Sequence, residues 1–167
     1  NSQYEEITIR LAAGTHAAET DGLIYGDDGK FGSLALFVFD EKRNFVLLHK
    51  EEFNASNTRQ VCFNCLSNAK TLLGVANYHL YPDLAAQLKE GLTLNGLKAL
   101  VANATGTVEL NDKNILMVGE KEIPAFTQEK ENIDVSLSLK RLAARIDVHT
   151  FKEAGWTANV QLISVEF

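Results

Sequence analysis

The stretch that decides the fold class runs from Asp134 to His149 and reads DVSLSLKRLAARIDVH. Its apolar residues alternate with polar ones, which is the pattern of a half-buried β-strand. They fall on odd positions up to Leu139 and on even positions from Leu142 onward. A strand whose inward-facing residues change parity contains an extra residue, so we predict a β-bulge at residues 140–142. This segment indicates a β-rich domain.

The length and charge of the chain limit its class. With 167 residues and 46% hydrophobic content it can bury a core, and we predict that residues 1–167 form a single domain. The formal net charge of −6 argues against a nucleic-acid partner, because such proteins carry a basic face. The chain has neither a run of 18 apolar residues nor a signal-peptide pattern at its start, so we expect an exported form to have lost its targeting segment.

The two cysteines, Cys62 and Cys65, form a C-x-x-C motif, which is typical of redox and zinc sites. Residues 60–66 have the pattern of a strand, in which residues three apart point to opposite faces. That geometry opposes both a disulfide and shared ligation of a metal. The histidines show no metal-ligand spacing and lie at positions 16, 49, 79 and 149. We therefore predict no metal site and no cofactor.

Alternating apolar residues predict the first strand from Tyr4 to Ala12. Ile7, Ile9 and Leu11 share one face of this strand, and polar residues occupy the other. Residues 13–32 are rich in glycine and aspartate and predict a long loop. The chain therefore begins with a half-buried strand that a loop separates from the next one.

Residues 33–39 are apolar on both faces, which favours a central strand that is covered on each side. The polar turn at 40–44 joins them to 45–49, so we predict a hairpin. Residues 51–58 are polar and predict a second connection. Gly74 lies inside a later predicted strand, where a glycine indicates close approach of another backbone. The remaining predicted strands cover residues 60–66, 71–76, 107–110, 115–118 and 156–167.

The helical period is confined to residues 82–102. Pro82 suits a first helical position, and Leu84 and Leu88 share a face. Gly91 suits the end of this helix. A second short helix carries Leu94, Leu97, Leu100 and Val101. Many strands with one helical excursion predict a mostly-β protein that folds as an antiparallel β-sandwich of Greek-key type.

Motifs for catalysis are missing from the sequence. It contains no nucleophile elbow, phosphate-binding loop, dinucleotide fingerprint or zinc-protease helix. Arg141 and Arg145 could bind a nucleotide or a carboxylate, but long arginine side chains also lie along ordinary sheets with their heads in water, and we favour this second interpretation. We predict that the protein is not an enzyme.

Four segments, taken in order, resemble the N-terminal domain of Bacteroidales fimbrillins, the FimA-like type V pilins. They are SLALFVFD at 33–40, TLLGVAN at 71–77, LMVG at 116–119 and LKRLAARIDV at 139–148. The resemblance covers nearly the whole chain. It implies a transthyretin-like β-sandwich that forms the first half of a two-domain pilin. It also implies a lipoprotein precursor that is exported to the outer membrane.

The resemblance further implies a function, which is that of a structural subunit of a cell-surface fimbrium that supports adhesion. In this family a protease removes the first strand, and a strand of another pilin subunit replaces it by donor-strand exchange. Carried over to this chain, the removable strand is Tyr4 to Ala12, and Ile7, Ile9 and Leu11 fill the pockets that a donor later occupies. The expected partners are other pilin subunits, a processing protease and receptors on host or bacterial surfaces.

One departure concerns the cleavage site. The family is processed at an arginine in the loop after the first strand, whereas residues 11–29 contain neither arginine nor lysine. Cleavage would therefore fall at Arg10 or at Lys30, or a protease of another specificity would make the cut.

Two alternatives stay open at this level. The first strand could be an ordinary edge strand that never leaves. The protein could also be a monomeric surface-exposed module that binds glycan or protein through exposed Tyr78, Tyr81 and Trp156. The position in a fimbrium, as stalk, anchor or tip, is open as well.

Overall fold

The computed structural model describes residues 4–15, 29–104, 116–127 and 132–142, and it confirms a mostly-β fold with short helices. The described strands are β1 (Glu6–Thr15), β2 (Phe31–Phe39), β3 (Phe45–Ser56), β4 (Thr58–Leu66), β5 (Thr71–Ala76), β6 (Met117–Glu122) and β7 (Asn132–Arg141). The described helices are α1 (Pro82–Gln87) and α2 (Leu94–Ala104), which follow a 3₁₀ turn at Tyr78–Leu80.

The described strands form one continuous sheet in the order β3-β2-β5-β6-β7-β1-β4. β7 pairs with β1 along residues 132–139, whereas its described pairs with β6 are limited to Lys140 and Arg141. Side chains from β1, β4 and β7 pack in one cluster with side chains from β2, β5 and β6. The sheet therefore folds over between β6 and β7, and its two layers enclose the main core as a β-sandwich. The Greek-key and transthyretin-like details stay predictions.

The two layers approach closely at Gly74, in β5. A Cβ atom at this position would lie 2.6 Å from Cδ2 of Leu137, in β7. The close backbone approach predicted at this glycine is wrong in kind, because the nearest atoms belong to leucine side chains and not to a backbone.

Strand β2 is buried on both faces, as its sequence predicts. Leu34, Leu36 and Val38 lie in the main core. Phe37 and Phe39 lie in a second core on the opposite face of the strand, which the helices cover. Because successive side chains of a strand point to opposite faces, one apolar strand connects the two cores.

The predicted hairpin of β2 and β3 is confirmed. Asp40 organises its turn, because its Oδ1 accepts hydrogen bonds from the backbone N–H groups of Lys42 and Asn44, each at 2.9 Å. Arg43 completes the turn with a φ of 69°, which lies in the left-handed region.

The predicted connection at residues 51–58 is wrong in extent. β3 continues to Ser56 and β4 begins at Thr58, so the connection is reduced to Asn57. The sequence is polar here because β3 is an edge strand of the described sheet, and edge strands carry charged residues that face water. Its inward-facing Phe53 still packs on Phe31, with the ring centroids 5.6 Å apart.

An ion pair joins the edge strands β3 and β4. Glu51 accepts a hydrogen bond of 2.9 Å from Nε of Arg59, whose guanidinium lies 4.3 Å from the centroid of the Phe53 ring. This hydrogen bond is the main reason that the pKa of Glu51 is lowered from its ordinary value. Because the folded pKa is lowered, the pair stabilises the fold fully above the pKa of the unfolded chain, and this contribution is lost as the pH falls through the folded pKa.

We predict that Glu51→Gln lowers the free energy of unfolding by about 0.5 to 1 kcal/mol at neutral pH. The difference from the unsubstituted chain should disappear in acid, where Glu51 is protonated in both states. Urea denaturation across a pH series measures it, with Glu52→Gln as the matched control on the same strand. A loss that persists unchanged in acid would contradict this assignment.

The two helices lie where the sequence predicts them. Pro82 is the first residue of α1, and Gly91 has a φ of 89° in the turn before α2. Nζ of Lys50, on β3, lies 3.3 Å from the carbonyl oxygen of Leu88 and 5.1 Å from the centre of the Tyr78 ring. A cation at the C-terminal end of a helix interacts favourably with the helix dipole, so Lys50 stabilises the packing of α1 on the sheet.

Several predictions lie wholly or partly outside the described residues. These are the strands at 107–110 and 156–167, the loop residues 16–28, and positions 143–149 beyond the predicted bulge. β7 ends at Arg141, so the bulge stays a prediction. β6 begins at Met117, and Ile115 of the predicted strand lies outside the described residues. In the part of the chain that the structure describes, no helix has the length and apolar character needed to cross a membrane.

Candidate functional site

The strand β1 lies between two others and not at an edge of the described sheet. It pairs antiparallel with β4 from Glu6 to Gly14 and parallel with β7 from Thr8 to Thr15, so the prediction of an antiparallel sandwich is wrong for the β1–β7 pair. The edge position in the alternative interpretation is therefore wrong. Removal of β1 would open two backbone ladders at once and leave a slot between β4 and β7, which we call the β1 slot.

The inward face of β1 is fully buried, as the sequence predicts. Ile7, Ile9 and Leu11 are 2%, 0% and 2% exposed. Ala13 continues the row at 3% exposed, although the predicted strand ended one residue before it. The sequence could have predicted that Ala13 is buried, since it continues the alternation of Ile7, Ile9 and Leu11. The neighbours of these side chains in the main core include Val61, Phe63, Cys65, Ile133, Val135 and Leu137.

Polar pairs on the outward face fix the register of β1. The hydroxyl of Thr8 donates a hydrogen bond of 2.8 Å to Oδ1 of Asn64, on β4. Arg10 forms a two-pronged pair with Asp134, on β7, with Nε 2.8 Å from Oδ1 and Nη2 3.1 Å from Oδ2. Each neighbouring strand thus recognises one outward residue of β1.

Both ends of β1 form hydrogen bonds to the turns that flank β4, and the C-terminal end also bonds to the segment before β2. At the start, the N–H of Ser67 donates a 2.7 Å hydrogen bond to the carbonyl of Glu5. At the end, the N–H of Thr15 donates to the carbonyl of Asn57 at 3.2 Å, and its hydroxyl donates to the carbonyl of Gly29 at 2.9 Å. The intact strand is therefore held along its full length.

The two cysteines lie on opposite faces of β4, as predicted, and both are free thiols. Cys62 is exposed opposite Arg10, whereas Cys65 is buried opposite Ile7. Burial raises the pKa of the Cys65 thiol to about 11. Within the described ranges no group of three histidine, cysteine or acidic side chains is placed to hold a metal ion. Cys65 lies beside the β1 slot, because Ile7 of β1 is its direct neighbour and both side chains belong to the main core.

The two candidate processing residues occupy different environments. Arg10 lies in the middle of β1, paired on one side with Cys62 and on the other with Asp134. Lys30 is exposed and lies outside the strands, directly before β2. Oδ1 of Asn77 accepts a hydrogen bond of 3.0 Å from the N–H of Gly32, so the backbone is held in place two residues after Lys30.

The alternative binding module is predicted to use three exposed aromatic side chains. For two of them, Tyr78 and Tyr81, the predicted exposure is wrong. Tyr78 is 4% exposed and Tyr81 is 2% exposed, because the turn and helix that carry them pack into the second core. Burial is also the main cause that raises the pKa of both phenols. Trp156 lies outside the described residues.

Solved structures share this fold at low sequence identity. A candidate cell adhesion protein of Bacteroides eggerthii is 18% identical, with a TM-score of 0.51 over 84% of this chain and 42% of that one. A candidate cell adhesion protein of Parabacteroides distasonis is 13% identical, with a TM-score of 0.54 over 84% and 41%. A fimbrial assembly protein of the same species is 13% identical, with a TM-score of 0.50 over 83% and 53%. At these identities the similarity shows the fold alone.

The chain spans only 41% to 53% of the length of these solved proteins. No curated protein sequence matches it. A family model does match, and it describes the major fimbrial subunit protein (FimA), over residues 6–157. The chain therefore belongs to the FimA family of major fimbrial subunit proteins, which are structural subunits and not enzymes, as the order of its sequence segments predicted.

Proposed function

We propose that this chain is a structural subunit of a cell-surface fimbrium and that β1 is a replaceable strand. The observation that carries the proposal is the position of β1, which fills a slot between two strands with a row of buried apolar side chains. β1 is also the first described element, so one cut between β1 and β2 separates it covalently from all the others. After that cut, non-covalent contacts alone hold β1 in its slot.

An empty β1 slot is unfavourable, so it drives binding of a new strand. Burial of Ile7, Ile9 and Leu11 contributes roughly 1.5 to 3 kcal/mol for each side chain. Unpaired backbone groups on β4 and β7 add a further cost wherever water cannot reach them. A strand from another subunit that carries apolar residues at alternate positions restores both kinds of interaction, as in other cases of β-strand addition.

Lys30 is the better candidate for processing, because it is exposed and lies directly before β2, so a cut after it needs only the first residues of β2 to open. Cleavage at Arg10 requires β1 to leave β4 and β7 first. We expect limited trypsin digestion to cut after Lys30 at least about tenfold faster than after Arg10, since the first cut needs only the start of β2 to open and the second needs β1 to leave both of its neighbours. Mass spectrometry of the fragments measures both rates, and Lys30→Gln should remove the faster cut. Equal rates in the folded chain would contradict the assignment.

For the whole protein, we carry over the plan of the family. This chain would form the N-terminal half of a two-domain pilin that reaches the outer membrane as a lipoprotein. Its partners would be other pilin subunits and a processing protease, and the assembled fimbrium would support adhesion. The support for this plan is family membership and the sequence resemblance.

Cys65 provides a direct test of strand replacement. A Cys62→Ser chain contains this single thiol, and a site for a sequence-specific protease can be introduced within residues 16–28. Iodoacetamide should modify Cys65 slowly in the uncut chain, because the thiol is buried next to Ile7 of β1 and its pKa is raised to about 11. After the cut, a fluorescent peptide copying residues 4–15 should replace the β1 fragment and keep Cys65 protected.

The matched control is the same chain without the cut, which should incorporate no peptide. A Cys65→Ser chain that keeps Cys62 should be alkylated rapidly in every state, because Cys62 is exposed. If excess peptide never enters the cut chain, β1 is not a replaceable strand and the proposal fails.

A further inference from the structure

The backbone of the β1 slot does not select the direction of its occupant. β1 runs antiparallel to β4 and parallel to β7. A strand inserted the other way round would again form one parallel and one antiparallel ladder, with the neighbours exchanged. Both ladders form in either direction, so the choice between directions falls to the side chains.

The inner side chains of β1 are graded in size along the strand. Three large residues, Ile7, Ile9 and Leu11, precede the small Ala13. Ala13 is paired with Leu137 of β7. The side chain of Leu137 lies 2.6 Å from the position of a Cβ at Gly74 and 3.0 Å from one at Gly119. The two layers thus converge around Leu137, which leaves little room for a large side chain at the position of Ala13.

The outer face adds a charge to this pattern. Asp134 is the partner of Arg10, and departure of β1 leaves its carboxylate without that guanidinium. The pair is largely exposed, with 56% of the Arg10 side chain and 74% of the Asp134 side chain accessible. Exposed pairs contribute little affinity, so Asp134 acts on register and choice of partner more than on strength of binding.

We infer that the β1 slot selects its occupant by side-chain pattern, which deepens the proposed function and rests on it. The occupant is a strand of another fimbrial subunit that carries three large apolar residues and then a small one at alternate positions, with a basic residue between the second and third. Ala13 marks the subsite that excludes large residues, and Asp134 recognises the basic residue. Within residues 1–167 the pattern occurs only in β1 itself, at residues 7–13.

The test compares peptides that copy residues 4–15 in the cut Cys62→Ser chain. An Ala13→Leu peptide should bind at least about tenfold more weakly than the unsubstituted copy, because added bulk is not accommodated in a packed core. The matched Ala12→Leu peptide carries the same change on the outward face and should stay within about twofold, as exposed substitutions do. Fluorescence anisotropy measures affinity, and protection of Cys65 reports that the peptide occupies the slot.

A charge reversal tests the role of Asp134. An Arg10→Glu peptide should bind about two- to fivefold more weakly to the unsubstituted chain. An Asp134→Lys chain should prefer the Arg10→Glu peptide, which simple loss of a structural contact does not produce. If Ala13→Leu and Ala12→Leu peptides bind equally, or the reversed pair shows no recovery, the selection pattern is overturned while strand replacement stands. If even the unsubstituted peptide is not incorporated, both proposals fall.

Discussion

Replacing Ile9 with alanine is expected to lower the free energy of unfolding by about 3 kcal/mol, within the range of large-to-small changes in cores. Ile9 is 0% exposed, and its Cα partners are Phe63 on β4 and Ile133 on β7. The cavity cannot close easily, because both neighbouring strands and the opposite layer are packed around it. Urea denaturation of the uncut chain measures the loss.

Thr8→Ala is the matched control, since it alters the adjacent outward position of the same strand. It removes one exposed hydrogen bond to Asn64, so its effect should stay near or below about 1 kcal/mol. The same pair of changes has a second readout in the cut chain. If binding of the β1 fragment is weakened by about 3 kcal/mol, the fragment with Ile9→Ala should dissociate from the cut chain up to about a hundredfold faster than the unsubstituted fragment. Equal effects of the two changes would show that the inward row does not hold β1 in place.

Among glycine-to-alanine changes in the described sheet, Gly119→Ala is expected to lower the free energy of unfolding most. A Cβ at this position, in β6, would collide with the carbonyl oxygen of Ser138 and lie 3.0 Å from Cδ1 of Leu137. The carbonyl belongs to the backbone of β7, so it cannot turn aside as a side chain does. We expect a loss of about 3 kcal/mol or more in the free energy of unfolding, at the upper end for overpacking.

Gly14→Ala is the matched control on another strand. There the added Cβ would meet Cγ2 of Thr58 at 3.7 Å, which is an ordinary contact. Its effect should stay within about 1 kcal/mol. Thermal denaturation of both chains, followed by circular dichroism, makes the comparison. If the Gly119→Ala chain were as stable as the Gly14→Ala chain, β6 and β7 would not be packed as tightly at Gly119 as we infer.

Local periodicity in the sequence determined which face of each element is buried. The alternation of β1 identified Ile7, Ile9 and Leu11, and the unbroken apolar run of β2 predicted a strand covered on both sides. Pro82 located the start of α1 for a similarly local reason, since its fixed φ and missing N–H suit a first turn. These features follow from strand and helix geometry that repeats every two or about four residues, so they can be recognised within one short segment of the sequence.

Tertiary structure decided what neighbours each element has. The sequence does not show that β1 lies between β4 and β7, that Asp134 meets Arg10, or that the layers converge at Leu137. The physical reason is that a strand offers the same backbone donors and acceptors to any partner. Its neighbours are therefore chosen by packing among residues far apart in the chain, and the β1 slot exists only once that packing is complete.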